Sequence, residues 1–221
     1  MIIDCVSDCH GFYPELEGGD LLIVAGDLTA RDIHSEYLKF FKWLHNQKYR
    51  HYIFIGGNHD NLLQNGEVVT SGLYNTTYLC DSGIEFEGLR IWGSPWTKTF
   101  PGMNPKCMAF TEPYGCDEEY WLGDHWDLIP EDTDILITHS PPYGILDQNI
   151  YLENCGSASL AERLINLPNI QLHCFGHIHE SYNQGLFMTI KPNDWNECKI
   201  VNASHVNEKY EPVNKPIRVI L

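Results

Sequence analysis

Polar residues suited to metal and phosphate chemistry follow several apolar runs of this sequence. The clearest case is Gly56-Gly57-Asn58-His59-Asp60, directly after the apolar run of residues 52–55. The two glycines let the backbone turn sharply, so that Asn58 and His59 can point in different directions. The carbonyl oxygen of an Asn suits a divalent ion, and an uncoordinated His can pass a proton near neutral pH. We expect Asp60 or a backbone carbonyl to orient the His59 imidazole, although the same residues would also form an ordinary turn.

The same arrangement recurs along the chain. The apolar runs at residues 2–6, 21–25, 135–137 and 172–175 also end in polar clusters, and such runs predict buried strands. In layered α/β folds, loops that follow separate strands converge at the carboxyl edge of the sheet. A lone Asp-x-His or His-x-His more often satisfies a structural hydrogen bond than binds a metal. Five clusters at strand ends, however, indicate one common site. Its candidate ligands are Asp8, His10, Asp27, Asn58, His139, His177 and His179.

The donor atoms of this set predict two metal ions. Thiolate is absent, which disfavours a structural zinc finger, whereas carboxylate, imidazole and amide together suit manganese, iron or catalytic zinc. Seven ligands are too many for one metal ion. A carboxylate can, however, bridge two ions about 3.5–4 Å apart, as in two-metal phosphoryl-transfer sites. We take Asp27 as the bridge. The other ligands form two groups, each completed by one member of the pair His177 and His179: Asp8 with His10, and Asn58 with His139.

The elements that must position these residues alternate between strands and helices. Apolar spacing predicts helices over residues 35–48 and 158–167 and, more weakly, over 117–126. Short segments at 73–79, 84–86 and 89–92 predict antiparallel strands, and similar segments at 186–190, 199–201 and 217–221 close the chain. Residues 95–114, rich in proline and aromatic residues, predict a long loop. With 221 residues, we expect one α/β domain over residues 1–221.

Charge and composition restrict the partners. The formal net charge is -16, and the interval between Lys106 and Arg163 holds twelve Asp and Glu residues but no Lys or Arg. Such a surface repels DNA and RNA. A small phosphate ester could still bind, because metal ions in the site would dominate the electrostatic field there. No run is long enough to span a membrane, no signal peptide is evident, and the eight cysteines are scattered. We therefore expect a cytoplasmic protein with reduced thiols and no membrane partner.

Nearly end to end, the sequence resembles the calcineurin-like metallophosphoesterase superfamily. Five ordered motifs carry the resemblance: Asp8-Cys9-His10, Gly26-Asp27, Gly57-Asn58-His59-Asp60, Thr138-His139 and Gly176-His177-Ile178-His179. It is more similar still to the metallophosphoesterase-domain-containing group known from animal brain, through Gly93-Ser94-Pro95-Trp96-Thr97, Trp126-Asp127-Leu128-Ile129-Pro130, Thr138-His139-Ser140-Pro141-Pro142 and Asn202-Ala203-Ser204. The resemblance implies two packed mixed sheets flanked by helices, a centre of two metals and phosphodiesterase activity.

The resemblance also implies a role for each motif residue. It assigns Asp8, His10, Asp27 and His179 to the first metal, and Asp27, Asn58, His139 and His177 to the second. His59 corresponds to the proton donor to the leaving group. The implied reaction is in-line attack on phosphorus by a metal-bridging hydroxide, with His59 as general acid. Some animal relatives carry Gly in place of the first His of the last motif, whereas this chain keeps His177.

The sequence departs from the protein phosphatases of the superfamily. Their Gly-Asp-x-x-Asp-Arg-Gly motif is broken here by Ala30 and Asp32, although Arg31 keeps the spacing of the phosphate-binding arginine. Arg31 is a candidate phosphate contact, or alternatively a solvated charge at the start of a helix. Serine/threonine phosphatase activity is therefore the less favoured expectation.

Several aromatic residues suggest a nucleobase as part of the substrate. These candidates for an aromatic wall are Trp92, Trp96, Phe100, Tyr114 and Tyr143, of which Trp96 and Tyr143 are the chosen substrate contacts. The alternative, that most of these residues belong to the core, is the more favoured one. We expect a phosphodiesterase for cyclic nucleotides or other small phosphodiesters, with two divalent ions, manganese first and iron, zinc, nickel or cobalt as alternatives. The alternative functions are a phosphomonoesterase or protein phosphatase, and a binding scaffold without catalysis on the same fold.

Overall fold

The computed structural model describes residues 1–99, 103–112, 118–182, 186–188 and 198–221. The strands in these ranges are β1 (Ile2–Val6), β2 (Gly19–Ala25), β3 (Tyr49–Ile55), β4 (Thr76–Tyr78), β5 (Ser82–Phe86), β6 (Leu89–Ser94), β7 (Ile135–Thr138), β8 (Leu172–Phe175), β9 (Leu186–Met188), β10 (Cys198–Asn202) and β11 (Ile217–Ile220). The helices are α1 (His34–Asn46), α2 (Asn61–Gln64), α3 (Glu118–Trp126) and α4 (Ala158–Ile165), and His179–Ser181 form a 3₁₀ turn.

The strands form two mixed sheets. The first has the order β11-β1-β2-β3-β4, in which β1 to β4 are parallel and β11 is antiparallel to β1. The second has the order β5-β6-β7-β8-β10-β9, in which the four central strands are parallel and the two edge strands antiparallel. The expected pair of mixed sheets flanked by helices is confirmed.

Each sheet is covered on both faces, which explains why its strands read as continuous apolar runs. The inner faces pack against each other through residues such as Ile23 and Ile53 of the first sheet and Ile137 of the second. The outer face of the first sheet packs on α1, and that of the second packs on α3 and α4. The strand ends thus project from two packed sheets covered by helices.

The predicted helices are present with small shifts in their bounds. Helix α4 begins one residue after Ser157, whose side chain accepts a hydrogen bond from the backbone N–H of Leu160 at 3.2 Å, an N-cap. The weaker prediction over residues 117–126 corresponds to α3. Within the described ranges, every helix is too short or too polar to cross a lipid bilayer.

The middle of the chain corrects one prediction. Residues 73–79 were expected to pair antiparallel, but β4 lies parallel to β3 at the edge of the first sheet. The hairpin of β5 and β6 is antiparallel as expected, because the two strands are joined by a short turn at Glu87 and Gly88. The partner of β4, in contrast, is set by tertiary packing that no local signal encodes. Of the strand predicted at 186–190, the last two residues lie outside the described ranges.

Candidate metal centre

The carboxyl ends of the parallel strands of both sheets meet at one edge of the molecule. A parallel bridge between Ser7 and Ser204 joins the end of β1 to the end of β10, with the N–H of Ser7 donating to the carbonyl of Ala203 at 2.8 Å. The loops after β1, β2 and β3 therefore face those after β7 and β8. This junction brings together all seven candidate ligands that the sequence singled out.

The first group of side chains consists of Asp8, His10 and His179. The Oδ1 atom of Asp8 lies 3.3 Å from Nε2 of His179, and the Nε2 atoms of His10 and His179 are 3.4 Å apart. One ligand atom from each of the three residues lies within 4.8 Å of the others. That spacing allows one cation to contact all three.

The second group consists of Asn58, His139 and His177. The Oδ1 atom of Asn58 lies 3.1 Å from Nε2 of His139 and 3.0 Å from Nδ1 of His177. Because Nδ2 of Asn58 donates to the carbonyl of Cys107 at 3.2 Å, its Oδ1 atom is the one directed at the histidines. An amide oxygen and two imidazole nitrogens therefore converge on one point.

Asp27 lies between the two groups. Its Oδ2 atom is 3.5 Å from Nε2 of His10, and its Oδ1 atom is 3.5 Å from Nε2 of His139. The backbone N–H of His59 donates to Oδ1 at 2.9 Å and fixes the carboxylate. Each oxygen of Asp27 thus faces a different group, a geometry that suits a bridging carboxylate.

Four of the candidate ligands have left-handed backbone conformations. The φ angles are 50° at Asp8, 43° at His10, 52° at Asp27 and 70° at His177. Outside glycine this conformation costs of order 1–3 kcal/mol per residue and typically occurs at functional sites. A Cβ atom on Gly176 would lie 2.0 Å from the Asp8 carboxylate, so only glycine permits this approach. Strained backbone and close contacts thus accompany the positions whose side chains point into the candidate site.

Hydrogen bonds behind the two groups fix the ring orientations. The Nδ1 atom of His139 donates to the carbonyl of Ala25 at 2.9 Å, and Nδ1 of His179 donates to the carbonyl of Asn207 at 3.2 Å. Both rings therefore present Nε2 to the site, the usual role of such outer contacts around a metal. The hydroxyl of Ser204 donates to Oδ2 of Asp8 at 2.8 Å, a contact that the motif Asn202-Ala203-Ser204 did not predict.

The electrostatics of the site favour bound cations. Burial alone would raise the pKa of Asp8, but the hydrogen bond and charge of His179 outweigh it and hold the pKa below its ordinary value. The pKa of Asp27 is lowered too, because the charges of His139 and His59 outweigh its burial. Burial would lower the pKa of His139, but Asp27 raises it to about 9. The carboxylates thus stabilise positive charge, and the oxygen and nitrogen donors fit a divalent ion.

His59 lies beside both groups. Its Nε2 atom is 3.9 Å from Oδ2 of Asp27, and its Nδ1 atom is 3.4 Å from the Sγ atom of Cys107. Its side chain is 17% exposed, whereas those of Asp27 and His139 are fully or almost fully buried. His59 is therefore accessible from outside the molecule while bordering the candidate ligands.

The expectation that Asp60 orients His59 is wrong. The Asp60 carboxylate is buried and accepts hydrogen bonds from the N–H of Gly57 at 2.9 Å and of Leu28 at 3.2 Å, and from the hydroxyl of Tyr37 at 3.3 Å. The turn closed by the Asp60 N–H on the Gly57 carbonyl directs the carboxylate back to the chain. Burial and the charge of Asp27 raise the pKa of Asp60 above its ordinary value. Asp60 instead ties the loops after β2 and β3 together.

The described part of the predicted long loop packs against the loop after β3, which carries Asn58 and His59. The N–H of Ala109 donates to the carbonyl of Asn58 at 3.1 Å, and Phe110 packs on Gly56, where a Cβ atom would lie 2.4 Å from its ring. Burial, followed by the charge of Asp27, raises the pKa of the Cys107 thiol. The loop over residues 95–114 thus supports Asn58 and His59, apart from residues 100–102 and 113–114, which lie outside the described ranges.

The three predicted substrate contacts lie in different surroundings. Arg31 is 72% exposed, and its Nε atom donates to Glu36 at 2.8 Å, close to the start of α1. The Trp96 indole donates to Asp81 at 2.6 Å and stacks on His125, with ring centroids 4.1 Å apart. Tyr143 is half-exposed in the loop after β7. A substrate role for each of the three stays a prediction.

The remaining members of the predicted aromatic wall are Trp92, Phe100 and Tyr114. Trp92 packs against the apolar cluster under α3 and α4. Phe100 and Tyr114 lie outside the described residues.

Tyr210 borders the site and was not predicted. It lies in the loop between β10 and β11, with its ring centroid 4.8 Å from that of His10 and 5.3 Å from that of His179. Burial, followed by the charge of Asp27, raises its pKa to about 12. The loop follows the last ligand motif and carries no metal ligand type at this position, so no local pattern identifies Tyr210.

Comparisons with known sequences agree with this geometry. The profile of the calcineurin-like phosphoesterase family matches residues 1–181. The chain is 36% identical over 244 aligned residues to human metallophosphoesterase domain-containing protein 1, covering 98% of this chain and 70% of that protein. It is 29% identical over 237 aligned residues to a UPF0046 protein of Caenorhabditis elegans, covering 96% of this chain and 78% of that protein.

A comparison with solved structures agrees on the fold. Protein TT1561 of Thermus thermophilus superimposes with a TM-score of 0.55 and 19% sequence identity, covering 91% of this chain and 88% of that one. At this identity the likeness concerns the fold alone.

Proposed function

Because the chain belongs to the calcineurin-like phosphoesterase family, we propose that it is a metal-dependent phosphohydrolase that acts as a phosphodiesterase on cyclic nucleotides or other small phosphodiesters. The observation that carries the proposal is the pair of distances around Asp27. One of its oxygens lies 3.5 Å from His10 and the other 3.5 Å from His139. This arrangement supports a centre for two cations, the kind that phosphoryl transfer uses.

We assign four ligands to each ion, with Asp27 shared: Asp8, His10, Asp27 and His179 for the first, and Asp27, Asn58, His139 and His177 for the second. Manganese is the first choice because the set combines hard oxygen donors with imidazole, and iron, zinc, nickel and cobalt are the alternatives. When bound, the ions would supply positive charge to the phosphoryl oxygens and lower the pKa of water at the site.

The chain's own residues position the ester and move the proton. His59 is assigned to neither ion, is 17% exposed and borders Asp27, so it suits the delivery of a proton to the departing oxygen. The backbone N–H of His59 donates to the carboxylate of Asp27 at 2.9 Å, which holds the His59 backbone beside the bridge. Burial of Asp8, Asp27 and His139 removes competing water and strengthens the local electrostatic interactions.

The proposed substrate is small. The dozen acidic residues between Lys106 and Arg163 disfavour long DNA or RNA, so plasmid and long RNA at physiological salt should be digested poorly, even where a mononucleotide diester is hydrolysed. Processive digestion of either polymer would contradict this.

We also propose a cytoplasmic location, which is supported by the seven described cysteines, all unpaired.

The test is hydrolysis by purified protein loaded with manganese. Bis(p-nitrophenyl) phosphate and a panel of cyclic nucleotides should be hydrolysed, and a chelator should abolish the activity. Faster hydrolysis of p-nitrophenyl phosphate than of the diester would favour the alternative of a phosphomonoesterase or protein phosphatase. Protein that binds two equivalents of metal and stays inert on both mono- and diesters would instead indicate a binding scaffold.

A further inference from the structure

The ring of Tyr210 borders the proposed centre. Besides His10 and His179, it contacts His59, with ring centroids 6.2 Å apart and the planes tilted by 58°. The contacts with His10 and His179 are edge-to-face, at 76° and 90°. Two of these histidines belong to the first group of ligands, and the third is the proposed proton donor. With His59 in its proposed role as proton donor, Tyr210 lies on the leaving-group side of the site.

The chain holds Tyr210 in this position. The Oδ1 atom of Asn207 accepts hydrogen bonds from the N–H groups of Lys209 and Glu211, each at 2.9 Å, and the N–H of Tyr210 donates to the Asn207 carbonyl at 2.9 Å. The same carbonyl accepts from Nδ1 of His179, so the turn is tied to a candidate ligand. Tyr210 itself has a φ of 59°. The position of its backbone is thus fixed relative to the site.

Although its ring contacts three histidines, Tyr210 is 48% exposed. A half-exposed ring beside a reactive site offers an apolar, flat surface to whatever occupies the neighbouring space. Aromatic rings stack on or pack edge-to-face against such a surface with an affinity beyond their simple burial, and base stacking on aromatic side chains is common in nucleotide recognition. A small aliphatic group lacks the flat face that this interaction needs.

We propose that Tyr210 forms one wall of the leaving-group subsite and favours phosphoesters whose leaving group carries a flat aromatic ring, such as an aryl group or a nucleoside. This rests on the proposed function, because His59 marks the leaving-group side. Tyr210 is a specificity residue in this proposal. It takes no part in proton transfer and holds no metal.

The kinetic test compares two methyl phosphodiesters with leaving groups of equal acidity, one p-nitrophenyl and one fluoroalkyl. In Tyr210→Ala, KM for the aryl ester should rise about two- to tenfold, the range expected for a lost aromatic contact. KM for the fluoroalkyl ester and kcat for both should change less than twofold. Tyr210→Phe should behave as the unmodified protein. Tyr74→Ala is the matched control, since Tyr74 is 80% exposed and precedes β4.

A binding test separates this proposal from the proposed hydrolysis. Calorimetry on the manganese-loaded protein compares phenylphosphonate with methylphosphonate, which are not hydrolysed. The unmodified protein should prefer phenylphosphonate, and Tyr210→Ala should lose that preference, even if no ester is turned over. Equal affinity for the two phosphonates in the unmodified protein would overturn the role of Tyr210. So would an equal loss on both esters accompanied by loss of metal, which would make Tyr210 a positioning residue for the histidine rings.

Discussion

The Oδ1 atom of Asp27 lies 3.5 Å from the Nε2 atom of His139, although Asp27 follows a strand of the first sheet and His139 follows a strand of the second. The candidate centre therefore exists only when the two sheets are docked. Metal binding should therefore depend on the integrity of both sheets. Because a ligand that binds the folded state alone stabilises it by mass action, bound metal should in turn stabilise the docked sheets. Asp27 is the residue where the two halves of the site meet.

Asp27→Ala should remove more metal than the loss of any ligand that serves one ion. We expect His10→Ala and His139→Ala each to keep about one equivalent, whereas Asp27→Ala loses most of both, because the two oxygens of Asp27 face different groups. Elemental analysis after gel filtration measures this directly. Two retained equivalents in Asp27→Ala would dismiss its assignment as the bridge.

His59→Ala should separate proton delivery from metal binding. The variant should keep both metals and its fold, yet lose roughly 10²–10⁴-fold in kcat on esters with poor leaving groups, the usual contribution of a general acid. Esters with good leaving groups need little protonation and should lose much less. The ratio of the two losses is measured with an alkyl and a nitrophenyl ester, and His34→Ala, at an exposed position, is the control. Equal losses, with chemistry rate-limiting, would remove His59 from the acid role.

Asp60→Ala should lower stability more than it alters proton transfer. The substitution leaves the buried N–H groups of Gly57 and Leu28 without their acceptor, and each such group costs about 1–3 kcal/mol. We expect the free energy of unfolding in urea to fall by about 2–4 kcal/mol, against less than about 0.5 kcal/mol for the exposed control Asp127→Ala. Unchanged stability, combined with the same dependence on leaving group as His59→Ala, would restore an orienting role for Asp60.

His173 should make the metal-free protein less stable in acid. Burial lowers its pKa from 6.5 to about 3, and its Nε2 atom pairs with the hydroxyl of Thr138 at 2.9 Å. Between these two values the unfolded chain binds a proton that the folded one does not, so stability falls as the pH falls through 6.5. From pH 7.5 to 5.5 this one residue accounts for about 1.4 kcal/mol.

The comparison for this effect is His173→Gln, which cannot titrate in this range. In the presence of a chelator, urea unfolding of the variant should lose about 1.4 kcal/mol less between pH 7.5 and 5.5 than the unmodified protein does. Contributions of the other buried groups are common to both proteins and cancel. An identical pH dependence in the two would show that His173 does not stay neutral in the fold.

The candidate ligands could be predicted from the sequence because each follows a buried strand. A continuous apolar run and the polar residues after it are local signals, and parallel strands necessarily bring those ends to one edge. The contacts that surround the ligands could not be predicted in this way. Cys107, Ser204 and Tyr210 reach the site from loops distant in sequence, and their positions depend on how the sheets and loops pack. The direction of the Asp60 side chain depends likewise on the turn geometry and on Leu28.

The left-handed conformations at Asp8, His10, Asp27 and His177 affect how the protein could be engineered. Glycine would adopt the same φ angles without steric cost, but at Asp8 and Asp27 it would remove the acceptors of hydrogen bonds from Ser204 and from the N–H of His59. It would also remove the side chains that we propose as metal ligands, so these four positions are poor targets for stabilisation. Exchange of Glu87 for glycine offers a safer gain, because Glu87 has a φ of 51° in the turn between β5 and β6, away from the centre. Stabilisation of this fold should therefore begin at its turns and leave the strand ends untouched.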